Sequence, residues 1–174
     1  MGSETRMHCS RTALYSTMLA SACGFGKEDI EKVFTAAIVH DIGKKEIPDH
    51  ILNKPGKLTL EEFAIMKQHA GKGAEIMEGR LPAELVDMIR YHHENMDGTG
   101  YYGLTGNSIP KGARIIHICD VYDALVTERP YKSAWDRKEA LQFIKENAGT
   151  MFDRSYAEIF CRIMQRATIG QNSN

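Results

Sequence analysis

Val39-His40-Asp41-Ile42-Gly43-Lys44 is the stretch that decides how this chain reads. An imidazole and a carboxylate stand side by side at the end of a run whose apolar residues, Ile30, Val33, Phe34 and Ala37, recur at helical spacing. Gly43 breaks the helix directly after them. The same interruption recurs along the chain: His8, His69, the pair His92–His93 and Asp120 are each set in apolar, helix-like sequence. One buried histidine is usually a hydrogen-bonded core residue. Several histidines and aspartates in separate apolar runs are harder to place, because each costs free energy to bury unless it is partnered. A shared metal cluster partners all of them at once.

The sequence around these residues reads as consecutive amphipathic helices with short loops. The first runs from about Glu4 to Ala22 and stops near Gly24 and Gly26; the second runs from about Lys27 to His40. Pro55-Gly56 marks a turn, and Thr59 with Glu62 forms a capping box that opens a helix through Phe63, Met66, Ala70, Ala74 and Met77. A further helix starts after Leu81-Pro82 and is expected to reach His92–His93. A glycine-rich loop follows, Asp97 to Gly103, and ends at Ile109-Pro110. Ala113 to Thr127 is the most apolar helix, Asp136 and Glu139 cap another, and the last runs from about Arg154 to Ala167. Strand alternation is absent. The expectation is one all-α domain over residues 1–174, a helical bundle with an ordered core from about 4 to 167 and a frayed tail at 170–174.

Composition narrows the function classes. The chain has 174 residues, enough for a real core, and its net charge of −1 comes without a basic block for duplex nucleic acid or an acidic membrane. No apolar run approaches a membrane span. Met1-Gly2-Ser3 lacks the features of a signal peptide and reads as a cloning remnant on a naturally longer protein. Cys9, Cys23, Cys119 and Cys161 are scattered, which suits reduced thiols in a cytoplasmic protein.

Glu4 and His8 are four residues apart and share a helix face, with Arg11 three further on. Lys44 follows Asp41 by three. Glu4, His8, His40, Asp41, His69, His92, His93 and Asp120 are more ligands than one ion accepts, so the set favours two metals or three. Imidazole and carboxylate without thiolate suit iron, manganese, zinc or nickel. Paired ions serve phosphoester hydrolysis, where they clamp the attacking and leaving oxygens. His50, in a loop, and His117, without an evident partner, read instead as surface or helix-end residues. Arg11, Lys44, Arg129 and Lys132 are weak signals singly, and their nearness to the ligands makes them candidates for phosphate.

Several motifs in order resemble the HD-GYP family, a branch of the HD phosphohydrolases. They are His40-Asp41-Ile42-Gly43-Lys44 with Ile47-Pro48-Asp49; Lys54-Pro55-Gly56-Lys57-Leu58-Thr59; His92-His93-Glu94; Asp97-Gly98-Thr99-Gly100-Tyr101; and Asp120-Val121-Tyr122-Asp123-Ala124-Leu125, running on to Arg129-Pro130-Tyr131-Lys132. The resemblance extends from Glu4 to about Phe152. It implies an all-α domain that hydrolyses cyclic di-GMP to pGpG, and in some members on to GMP, with two or three metal ions, often iron or manganese. Carried over by motif, His8, His40, Asp41, His69, His92, His93 and Asp120 are ligands with Asp41 bridging, and Glu4 matches the extra carboxylate of three-metal members. Lys44 falls on the scissile phosphate, Arg129 and Lys132 hold the substrate's phosphates, and Gly100 and Tyr101 belong to the substrate loop.

One departure is plain. The namesake Gly-Tyr-Pro reads Gly100-Tyr101-Tyr102, with the next Gly-Leu one residue early and Asn95-Met96 in place of a basic–aromatic pair. Loss of proline frees a backbone N–H and conformational entropy, so the loop is expected to be mobile. The alternatives are a phosphodiesterase for another cyclic dinucleotide or phosphoester, and a degenerate nucleotide-sensing or interaction module. Expected partners are the cyclic dinucleotide, a diguanylate cyclase-type signalling domain and a second copy in a homodimer.

Overall fold

The computed structural model describes residues 3–128 and 133–171, with side chains over 5–128 and 133–166. The chain runs α1 (Ser3–Ala22), α2 (Lys27–Val39), a 3-10 turn (Ile42–Glu46), α3 (Asp49–Leu52), α4 (Leu60–Met77), α5 (Ala83–Arg90), a second 3-10 turn (Gly106–Ser108), α6 (Lys111–Val126), α7 (Arg137–Glu146) and α8 (Arg154–Gln171). No strand forms among the described residues; Ala148 and Phe152 make one isolated bridge. The all-α reading holds.

Both expected capping boxes are present. Thr59 Oγ1 accepts from the Glu62 N–H while Glu62 accepts from the Thr59 N–H. Asp136 and Glu139 do the same at the start of α7. Each box satisfies amides that a helix start leaves open. Three boundaries differ from expectation, one of them the start of α6, which opens at Lys111 and not at Ala113. The helix after Pro82 ends at Arg90, so His92 and His93 lie in the turn beyond it. α8 continues past Ala167 to Gln171; residues 1–2 and 172–174 lie outside the described residues.

α6 is the centre of the arrangement and packs against α1, α2, α5, α7 and α8. Twelve of its sixteen residues are buried, including His117, Asp120 and Asp123, so its polar groups face protein on every side. Ile115, Ile116, Ile118 and Tyr122 meet Leu19, Ile89, Ile144, Phe152 and Phe160 in the core. Tyr122 stacks edge-on against Phe160 at 5.1 Å and Tyr15 at 5.4 Å. At the other end of the fold the turn after α2 lies directly on α4. A Cβ at Gly43 would strike the carbonyl of His69 and the backbone of Gly73, so glycine is required for this close approach. That crossing carries His40 and Asp41 to His69.

Candidate metal centre

Three histidines are held the same way. His40 Nδ1 lies 2.7 Å from the Ala37 carbonyl, His69 Nδ1 2.8 Å from Met66 and His92 Nδ1 2.6 Å from Ile89, each the carbonyl three residues earlier. A carbonyl only accepts, so each ring donates through Nδ1, and in the neutral ring Nε2 is then the lone pair left to a metal. These lone pairs converge. His69 Nε2 is 3.4 Å from His92 Nε2 and 3.2 Å from His93 Nε2. His40 Nε2 is fully buried and has no hydrogen-bond partner. Two lone pairs facing each other repel, and a cation between them removes the repulsion. His69, His92 and His93 thus form one group of donor atoms within 4.8 Å of one another, and His8, His40 and Asp41 form a second.

In the second group His8 is held differently. His8 Nδ1 contacts Asp123 Oδ2 at 2.7 Å, and its Nε2 lies 2.9 Å from Asp120 Oδ1 and 3.7 Å from Asp41 Oδ2. Asp123 is fully buried and also takes Arg11 in a fork, Nε at 2.6 Å and Nη2 at 2.9 Å. Arg11 reaches the Thr127 hydroxyl at 3.1 Å as well. Asp123, absent from the expected ligands, therefore orients one of them, as a carboxylate behind a ligating imidazole does. Its signal in the sequence is the three-residue step from Asp120 on one helix.

Asp41 sits between the groups. Its Oδ1 lies 3.4 Å from His69 Nε2, and its Oδ2 lies 3.5 Å from His40 Nε2 and 2.6 Å from Lys44 Nζ. Burial opposes ionisation of Asp41 and Asp120, but Lys44 and His40 hold the first carboxyl well below the ordinary range, and His40 and His8 hold the second there. The converse holds for the imidazoles facing them. Burial lowers His8, yet Asp120 and Asp123 raise it to about 9; His40 is held well above its ordinary value against burial by Asp41 and Asp120. His92 and His93 go the other way, pushed well down by burial and by neighbouring imidazoles. The carboxylates demand positive charge at this spot, and the neutral imidazoles offer lone pairs to it. A divalent cation satisfies both, so this donor set fits oxygen- and nitrogen-bound metals.

Seven of the eight expected ligands therefore meet: His8, His40, Asp41, His69, His92, His93 and Asp120. Glu4 lies in α1, but its side chain is outside the described residues, as are Arg129 and Lys132 entirely. His50 is exposed, as expected, but it lies in α3 and not in a loop. His117 is not a surface residue: it is buried in α6, its Nε2 is 3.2 Å from Asn95 Oδ1, and its ring is 6.1 Å from His93. It was missed because a helix buried on all sides has no polar face against which a core histidine stands out.

The loop after His93 folds around Glu94. This buried carboxylate accepts from the Tyr102 N–H and the Leu104 N–H, each at 2.6 Å. The N–H freed by the absence of proline is thus bonded, and it ties the loop down where mobility was expected. Gly100 passes close to the chain it follows; a Cβ there would sit 2.6 Å from Glu94 Cα and 2.8 Å from the His93 carbonyl. Tyr101 tilts over His93 at 4.6 Å and edges His69 at 6.2 Å, which closes the imidazole side of the cluster.

A family model for the HD domain matches residues 3–156. Over 86% of its length the chain is 39% identical to a cyclic di-GMP phosphodiesterase response regulator, RpfG, of Xanthomonas campestris pv. campestris, covering 40% of that protein. Over 90% of its length it is 38% identical to the 3'3'-cGAMP-specific phosphodiesterase 2 of Vibrio cholerae, covering 31% of that protein. The chain thus spans less than half the length of these curated relatives. Among solved structures, Bd1817, described as an HDG"Y"P protein from Bdellovibrio bacteriovorus, superposes with a TM-score of 0.77 at 19% identity, over 92% of this chain and 52% of that one. That likeness shows the shared fold.

Proposed function

The chain belongs to the HD domain family, and from that premise we propose that it is a metal-dependent phosphodiesterase opening cyclic dinucleotides, with cyclic di-GMP as substrate and pGpG, then GMP, as products. In a bacterial cytoplasm this reaction ends a second-messenger signal. The observation that carries the reading is the place of Asp41, one carboxylate oxygen toward His69 and the other toward His40 and His8. That is the geometry a bridging ligand needs. The relatives' names divide between cyclic di-GMP and 3'3'-cGAMP, which makes the mixed dinucleotide the second substrate to assay.

The bound ions, iron or manganese in the first instance and zinc or nickel in the second, supply hydroxide at neutral pH and neutralise phosphoryl charge. The chain's own residues do the rest. Asp41, His40, His8 and Asp120 hold one side of the centre, and His69, His92 and His93 hold the other. Glu4, one turn before His8, is the ligand for a third ion. Lys44, already beside Asp41, donates to a non-bridging oxygen of the scissile phosphate. Arg11 acts through Asp123 to fix His8, while Arg129 and Lys132 take the remaining phosphate charge. Tyr101 and the loop around Gly100 bound the site and exclude water from the imidazole side.

The test is removal and return of metal. Stripping the protein with a strong chelator abolishes hydrolysis of cyclic di-GMP, and iron or manganese restores it. Undiminished turnover by metal-free protein would overturn the reading.

A further inference from the structure

Outside the ligand set, two side chains meet over Tyr101. Phe63 and Lys67 lie four apart on α4 and so share a helix face. Phe63 meets Tyr101 edge-on at 6.4 Å, and the Lys67 ammonium lies 5.1 Å above the Phe63 ring and 5.3 Å above the Tyr101 ring. Phe63 remains 42% exposed, an aromatic surface left open beside the metal centre. Lys67 differs from other lysines near the site. Lys44 and Lys54 are spent on carboxylates and Lys72 on a backbone carbonyl, whereas Lys67, among the described residues, makes only its two ring contacts. Cation–π attraction holds the ammonium in place while leaving its three N–H donors available.

We propose that Phe63 and Lys67 form a nucleobase subsite that favours guanine over adenine. This rests on the reading of the chain as a cyclic-dinucleotide phosphodiesterase. The subsite is one tyrosine ring away from the imidazoles, the kind of separation a ribose puts between a phosphate and its base. A purine laid against the open Phe63 ring brings its edge to the ammonium. Guanine presents two acceptors there, O6 and N7; adenine presents one acceptor and an amino donor. An ammonium has donors only, so it pairs with guanine and faces a like group on adenine. Phe63 stacks on either base, because every base has a π face. Phe63 thus supplies affinity, and Lys67 supplies the choice.

The test measures kcat/KM for cyclic di-GMP, 3'3'-cGAMP and cyclic di-AMP in wild type, Lys67→Met, Lys67→Arg and Phe63→Ala. Methionine keeps the apolar stem on the rings and removes the donors; metal content and melting temperature check that each variant is intact. In Lys67→Met the preference for cyclic di-GMP over cyclic di-AMP collapses about tenfold, the scale of one lost base-edge contact, and Lys67→Arg retains it. Phe63→Ala raises KM for all three by about tenfold with the preference intact. An unchanged preference in Lys67→Met overturns the subsite. Wild-type protein that cleaves bis(p-nitrophenyl) phosphate but none of the three cyclic dinucleotides overturns the substrate reading beneath it.

Discussion

The two sides of the metal centre are fixed by different means. On the imidazole side, His69 and His92 are each oriented by the carbonyl of their own preceding turn, as is His40 on the other side. On the carboxylate side, His8 is oriented by Asp123, a residue 115 positions away, which Arg11 grips in turn. A backbone carbonyl cannot be removed by substitution, so the first arrangement resists mutation at any residue but the histidine itself. The second depends on two side chains and on α1 lying correctly against α6. The difference teaches where the site can be loosened without being destroyed.

The largest effect is expected at Asp41, which belongs to both sides. Asp41→Ala removes a carboxylate that faces both donor groups, its Oδ1 3.4 Å from His69 and its Oδ2 3.5 Å from His40, so metal content falls on both sides and cyclic di-GMP turnover is abolished. Elemental analysis with full occupancy in this variant would break the division into two groups sharing one bridge. Lys44→Ala separates holding metal from using it. A protonated amine cannot ligate, so the ions stay while kcat falls by ~10²-fold or more, as for loss of one electrostatic stabiliser. Metal loss in proportion to activity would move Lys44 from the phosphate to the scaffold.

How much of this was legible in the sequence divides along similar lines. The ligands could be read because each interrupts an apolar run, and the helices because their period and capping boxes are local. The end of α5 was misjudged because helix-spaced apolar residues continue up to His92 while the backbone turns at Tyr91. The 3-10 turn at Ile42–Glu46 and α3 are too short to show a period. Asp123 and His117 escaped because their partners, His8 and Asn95, are distant in the chain. Spacing alone cannot show which carboxylate of α6 faces a metal and which stands behind a ligand. The loop was misjudged for a related reason: the freed amide at Tyr102 was visible, but its acceptor, Glu94, sits eight residues earlier.

Asp123→Asn sharpens the comparison. It keeps the shape of the side chain but weakens its hold on Arg11 and on the His8 Nδ1–H. Metal affinity of the carboxylate side should fall about 10–100-fold, the range for losing an orienting partner, while that of the imidazole side is retained. Competition titration with a chromophoric chelator reads this as one shifted phase and one unshifted; equal shifts in both would erase the distinction. The smallest effect is expected at the loop. Tyr102→Pro deletes the N–H that Glu94 accepts and leaves a buried carboxylate short of a donor. Urea unfolding should show a loss of about 1–3 kcal/mol with metal content unchanged. Undiminished stability would mean that Glu94 does not hold the loop down.

The central claim is a shared metal cluster that cuts a cyclic dinucleotide, and it is tested most directly by one measurement on anaerobically purified protein. Metal ions per chain are counted on the same sample whose products from cyclic di-GMP are identified. The account predicts two or three ions per chain and conversion to pGpG or GMP. One ion or none, with the dinucleotide still cleaved at full rate, would contradict it.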